Sequence, residues 1–151
     1  MAIFLSIIIG FLFQIFIYRY VNISGVSINI MLILTLQISL VAGGNRGMFF
    51  GFFSGLLEDL FFPGLLGERA LVRLIIAYFV GSLRGRFSPG NVLFQFIVNT
   101  SSYLIHFGGI FLIRTIFSLS TPPAVRLVPS ALVVGLFAPV FYFIVSRTNA
   151  G

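Results

Sequence analysis

Polar residues in this chain stand as brief interruptions between long apolar runs, near positions 2–18, 26–43, 47–62, 70–84, 91–113 and 127–145. A bilayer-crossing helix needs about 20 mostly apolar residues, so each run has close to the required length. Polar or helix-breaking stretches fall between them, among them Asn22 to Ser27, Gly43 to Asn45, and Pro63 with Gly64 and Gly67. The pattern predicts an all-α integral membrane protein, a compact bundle of about six transmembrane helices. It forms a single membrane domain over residues 1–151, with short loops and no room for a soluble domain.

The third run carries the most specific pattern. Gly47, Gly51 and Gly55 recur every four residues and lead into the adjacent acids Glu58 and Asp59. At about 100° per residue, steps of four drift slowly around a helix, so the glycines form a smooth strip with Glu58 in its middle and Asp59 off one edge. Such a strip lets another backbone approach closely, which matters where helix association depends on contact. It serves either packing inside the bundle or a partner helix. Arg69 and Arg73, one turn apart at the start of the fourth run, are placed to face Glu58 or Asp59 across the hairpin. A charge-compensated corner and a partner contact are compatible readings of these residues.

Composition reinforces the hydropathy pattern. The 151 residues are 59% hydrophobic and 8% charged, with mean hydropathy +1.15, far from the usual balance of a soluble domain. There is no lysine for a P-loop or a Schiff base, no cysteine for a disulfide or iron–sulfur site, and a single histidine, His106. No catalytic residue, cofactor or metal is expected. The formal charge of +6 comes from arginines set singly at helix ends, which suits lipid headgroups and not nucleic acid. With the N-terminus in the cytoplasm, Arg46, Arg84, Arg86 and Arg147 fall inside and Arg19, Arg69 and Arg126 outside, a narrow margin for orientation. The first run lacks a basic leader and a cleavage site, so it is expected to stay as a span, with Ala2, Ser6 and Gly10 as a milder packing line.

Two later runs carry polar or helix-bending residues. Gln95, Asn99, Ser102 and His106 share one side of the fifth, within about 60° of arc. These side chains either hydrogen-bond neighbouring helices, as Thr35, Gln37 and Ser39 of the second run are placed to do, or line a small-molecule pocket or proton path. Pro139 in the sixth run removes the donor to the Gly135 carbonyl and predicts a kink.

The segment from Gly51 through Ser54, Gly55, Leu56, Leu57 and Glu58 to Asp59, followed by Gly67, Glu68, Arg69, Ala70 and Leu71, resembles the central signature of the rod shape-determining protein MreD family. That signature is a glycine-spaced helix ending in Gly-Leu-Leu-x-Asp, then a loop, a glycine, and Ala-Leu opening the next helix. The resemblance covers about residues 47 to 86; length and the six-run layout extend it along the chain. It implies a multi-pass protein of the bacterial inner membrane with a cytoplasmic N-terminus and no catalytic activity. Such a protein acts in the cell-elongation machinery that inserts peptidoglycan, beside the single-span MreC, the actin-like MreB and the glycosyltransferase RodA with its transpeptidase. It also implies a fold similar to the substrate-binding components of energy-coupling-factor transporters. Two other functions compete with a scaffold that binds an MreC-like helix. One is a substrate-binding subunit of a vitamin-type transporter; the other, ranked last, is a membrane enzyme using Glu58, Asp59 and His106.

Overall fold

Helix ends follow the polar punctuation. In the computed structural model, which describes residues 9, 12–15, 28–62, 64–86, 88, 90–121 and 127–148, the described residues form six helices and no strand. They are α1, described over residues 12–15, α2 (Ile30–Ala42), α3 (Gly44–Phe61), α4 (Glu68–Ser82), α5 (Val92–Ile116) and α6 (Leu127–Thr148). The line Ala2, Ser6 and Gly10, the turn Asn22 to Ser27, Arg19 and Arg126 lie outside the described residues.

Each boundary has a local cause. Asn29 starts α2 by accepting the Leu32 amide on Oδ1 at 2.9 Å, and Asn91 does the same for α5 with the Leu93 amide at 2.9 Å. The break expected over Gly43 to Asn45 is confined to Gly43, whose φ of 95° no other residue type adopts easily. Its carbonyl already accepts the Gly47 amide at 3.0 Å, so α3 begins at Gly44 with Asn45 inside the helix. The fifth run also extends beyond its expected end at 113, taking in Arg114. That arginine is neutralised by an acid from α4 and therefore does not stop the helix.

α2 is the central helix: ten of its 13 residues are buried, on all sides, as expected of a helix without a polar face. Leu32, Ile33 and Leu36 meet Val72 and Ile76 of α4, Val98 and Ile110 of α5 and Val134 of α6 in the main core. A smaller cluster joins Met31 and Ile38 to Phe50 of α3 and Val145 of α6. α6 continues through Pro139, and Gly135, one turn earlier, lies against Thr100 and Phe96 of α5.

Among the described residues, α5 and α6 are long and apolar enough to cross a membrane, and α2 is apolar but shorter. α3 and α4 carry the charged residues that lower their hydropathy. The outer surface is nonetheless rich in large apolar side chains, including Phe49, Phe53, Leu71, Phe79, Ile105 and Leu136.

Candidate functional site

The glycine strip faces inward, between α2 and α4. A side chain at Gly47 would collide with Ser39. One at Gly51 would meet Thr35 Cγ2 at 3.0 Å and the Arg73 carbonyl at 3.2 Å. Gly55 makes the closest backbone contact of the three, with the Ala70 Cα 2.5 Å from where its own Cβ would stand. Gly81 of α4 returns the contact against Gly44, so both helices contribute glycine to one joint. Small hydroxyls complete it: Thr35 lies 3.3 Å from Ser54, and Ser39 donates to the Thr35 carbonyl at 2.7 Å. With Gly47, Gly51 and Gly55 all buried, the strip is occupied by the protein's own helices.

Beyond the strip lies an ionic corner. Asp59 reaches past the end of α3 and caps α4: its Oδ2 accepts the amides of Gly67 at 2.9 Å, Arg69 at 3.2 Å and Ala70 at 3.3 Å. Gly67 precedes α4 in the left-handed conformation, with φ 96°, and has no side chain to cap with. The carboxylate from the preceding helix fills that role, its charge set against the positive end of the helix dipole. Arg69 Nη1 completes the set at 3.1 Å from Oδ1.

Glu58 turns the other way, into the bundle, where Arg73 Nη2 donates to Oε2 at 2.5 Å. The same nitrogen donates to Asn29 Oδ1 at 2.9 Å, tying the start of α2 to α4. Gln14 of α1 donates to Glu58 Oε1 and accepts the Met31 amide at 2.9 Å. Glu68 pairs with Arg114 of α5 through Nε at 3.0 Å and Nη2 at 2.5 Å. Arg69 links the acids, 3.5 Å from Glu68 and 3.9 Å from Glu58. Three carboxylates thus meet three guanidinium groups at one corner, and all three acids are buried. A buried charge is tolerated when it is paired and most of its remaining hydrogen-bonding positions are filled; here Arg73 Nε is the exception.

The residues singled out on the fifth run also point inward. Gln95, Asn99, Ser102 and His106 are all buried. Asn99 accepts from Gln37 Nε2 at 3.2 Å and donates to the Gln95 carbonyl at 2.8 Å, so α2 and α5 share a polar seam. Three buried polar atoms have no partner among the described residues: Gln37 Oε1, Arg73 Nε and His106 Nδ1. No group of three potential metal ligands occurs among the described residues.

The structure gathers Gly55, Glu58, Asp59, Gly67, Arg69 and Arg73 into one joint and keeps the seam of Gln95, Asn99, Ser102 and His106 apart as a separate feature. Gln14, Asn29 and Arg114 complete the network without having been singled out in the sequence. The available signal was an isolated polar or charged residue in an apolar run, which needs a partner somewhere in the bundle. Comparison of the chain with protein-family models, curated proteins and solved structures gives no match. Among the described residues, the fold and the corner define an all-helical arrangement with close, charge-compensated packing, in which two helices are long and apolar enough to cross a membrane.

Proposed function

We propose that this chain is a non-catalytic, multi-pass scaffold of the bacterial inner membrane, of the MreD type, which serves cell elongation by holding the single membrane helix of an MreC-like partner. The observation that carries the reading is where the family-like residues fall. Gly55 lies against the Ala70 backbone, and Asp59 accepts the amides of Gly67, Arg69 and Ala70. A pattern spread over two helices thus describes one mechanical joint between them. A scaffold is further supported by the commitment of Glu58, Asp59 and Glu68 to arginines, since general acid–base work needs a carboxylate with a reachable reacting proton.

Because the strip is filled internally, the partner helix is assigned to the outward face of the same hairpin. Phe49, Phe53 and Leu60 of α3 and Leu71, Ile75 and Phe79 of α4 are exposed there. A six-span arrangement with the N-terminus in the cytoplasm puts Arg46, Arg84, Arg86 and Arg147 inside. RodA, its transpeptidase and MreB are then more distant members of the same assembly. The transporter-subunit reading is second, favoured by the unpartnered, buried His106 Nδ1 and Gln37 Oε1.

Capture of the tagged chain with a co-expressed MreC-like protein from the same genome tests the proposal. Retention is expected, with a drop of about tenfold or more for Phe53→Ser combined with Ile75→Ser, at unchanged melting temperature. Equal capture of the surface variant moves the partner to another face. No capture by the wild type overturns the scaffold reading in favour of the transporter.

A further inference from the structure

At the other ends of the same helices the charges are unanswered. An open cavity of about 740 Å³ lies where the α2–α3 turn meets the segment after α4 and the end of α6, lined in part by Gly43, Gly44, Asn45, Arg46, Arg84 and Ser146. Its size is in the usual range of small-ligand sites, about 300 to 1,000 Å³. Arg46 and Arg84 are both exposed. The ion pairs of the described residues involve Arg69, Arg73 and Arg114, leaving these two guanidinium groups with none. The chain has three acidic side chains, and the corner beyond the glycine strip consumes all of them. A side-chain counter-ion for this cavity therefore has to come from another molecule.

The floor of the cavity is built from residues without bulk. A Cβ on Gly43 would stand 3.2 Å from Arg84 Nη1, so the guanidinium lies over a bare stretch of backbone. Gly44 follows without a side chain, and Gly43 provides no side-chain cap for α3. Two separate guanidinium groups bring two positive charges to one cavity, more than the single charge of a carboxylate balances. A phosphate group, with three or four oxygens and up to two charges, can take donors from both.

We propose that this cavity binds a phosphate group through Arg46 and Arg84, supplied either by the headgroup of an anionic phospholipid or by a soluble phosphate. The lipid source rests on the membrane reading above, while the phosphate chemistry does not depend on the partner. Loss of partner capture with intact phosphate binding, or the reverse, separates the two proposals.

The test uses the purified full chain with two probes. Native mass spectrometry from micelles doped with equal phosphatidylglycerol and phosphatidylcholine reads lipid retention, and thermal shift in lipid-free detergent with inorganic phosphate, against chloride at equal ionic strength, reads the soluble source. The wild type is expected to prefer phosphatidylglycerol, to be stabilised by phosphate, or both; the first alone assigns the headgroup and the second alone the soluble ion. Arg46→Gln and Arg84→Gln are each expected to weaken the positive response about tenfold, and Arg86→Gln, outside the cavity, to leave it within about twofold. Arg46→Gln carries the test alone should Arg84→Gln fail to fold. The proposal is overturned if neither probe binds, if Arg46→Gln has no effect, or if Arg86→Gln weakens binding equally, since that last result means diffuse surface charge.

Discussion

Arg73 and Glu58 meet at 2.5 Å with the arginine side chain fully buried. They join α3 to α4 inside the bundle, where both side chains are shielded from solvent. In such a place the pair is conditional: either partner alone is a desolvated charge, and both together are tolerated.

Breaking this pair is therefore expected to be strongly non-additive. Glu58→Gln and Arg73→Met should each lower unfolding stability by about 3 to 5 kcal/mol, and the double variant by less than the sum. Thermal or denaturant unfolding in a mild detergent measures the cycle. Additive losses would show that the two side chains do not depend on each other.

Glycine substitutions should divide by location. Gly55→Ala drives a methyl group into the Ala70 backbone at 2.5 Å, where nothing flexible can yield, and is expected to abolish folding or cost several kcal/mol. Gly108→Ala on α5 meets nothing within 4 Å and should be neutral or stabilising by about 0.5 to 1 kcal/mol. Melting temperatures of the two variants decide it; similar behaviour would disprove the close joint.

Asp59→Ala should act on one end of one helix. Gly67, Arg69 and Ala70 lose the acceptor that holds their amides, which costs about 1 to 3 kcal/mol. Hydrogen exchange is expected to quicken in the first turn of α4 and stay unchanged in the middle of α5. Asp59→Asn should fall between, keeping one acceptor oxygen and losing the charge that complements Arg69. Uniform quickening throughout the chain would mean global unfolding and remove the capping account.

The six-span arrangement is open to direct labelling, because the chain has no cysteine. Cysteines placed at Asn45 and Ser88 are expected to react with an impermeant maleimide from the cytoplasm, and those at Leu66 and Ser120 from the outside; all four positions are exposed. Labelling of all four from one side would refute the multi-pass model.

The helix order was readable from the apolar runs because burial, in lipid or in a core, demands the same residues. The general pairing of Glu58 and Asp59 with arginines was readable too, since charges in apolar surroundings need partners. Which arginine takes which acid was not. Glu68 stands beside Arg69, yet its bidentate partner is Arg114, 46 residues away, a distance that only the packing of α4 on α5 can close. The direction of the glycine strip was equally hidden. Periodicity places Gly47, Gly51 and Gly55 on one face, but an inward and an outward strip have the same spacing. Gln14 carries no periodic signal in the sequence because it is a single amide in an apolar run; its meaning lies in Glu58 and Met31, which reach it only in the assembled bundle.

The cap that Asp59 lends to α4 also sets an order in time. Gly67 follows it by eight residues, so during synthesis the carboxylate has already emerged when the first amides of the next helix appear. α4 need not wait for a distant element in order to start. Its first turn is capped by the helix just completed, and the two helices can enter their final setting as a hairpin in which Asp59 and Glu58 already have Arg69 and Arg73, while Glu68 is answered only when α5 brings Arg114.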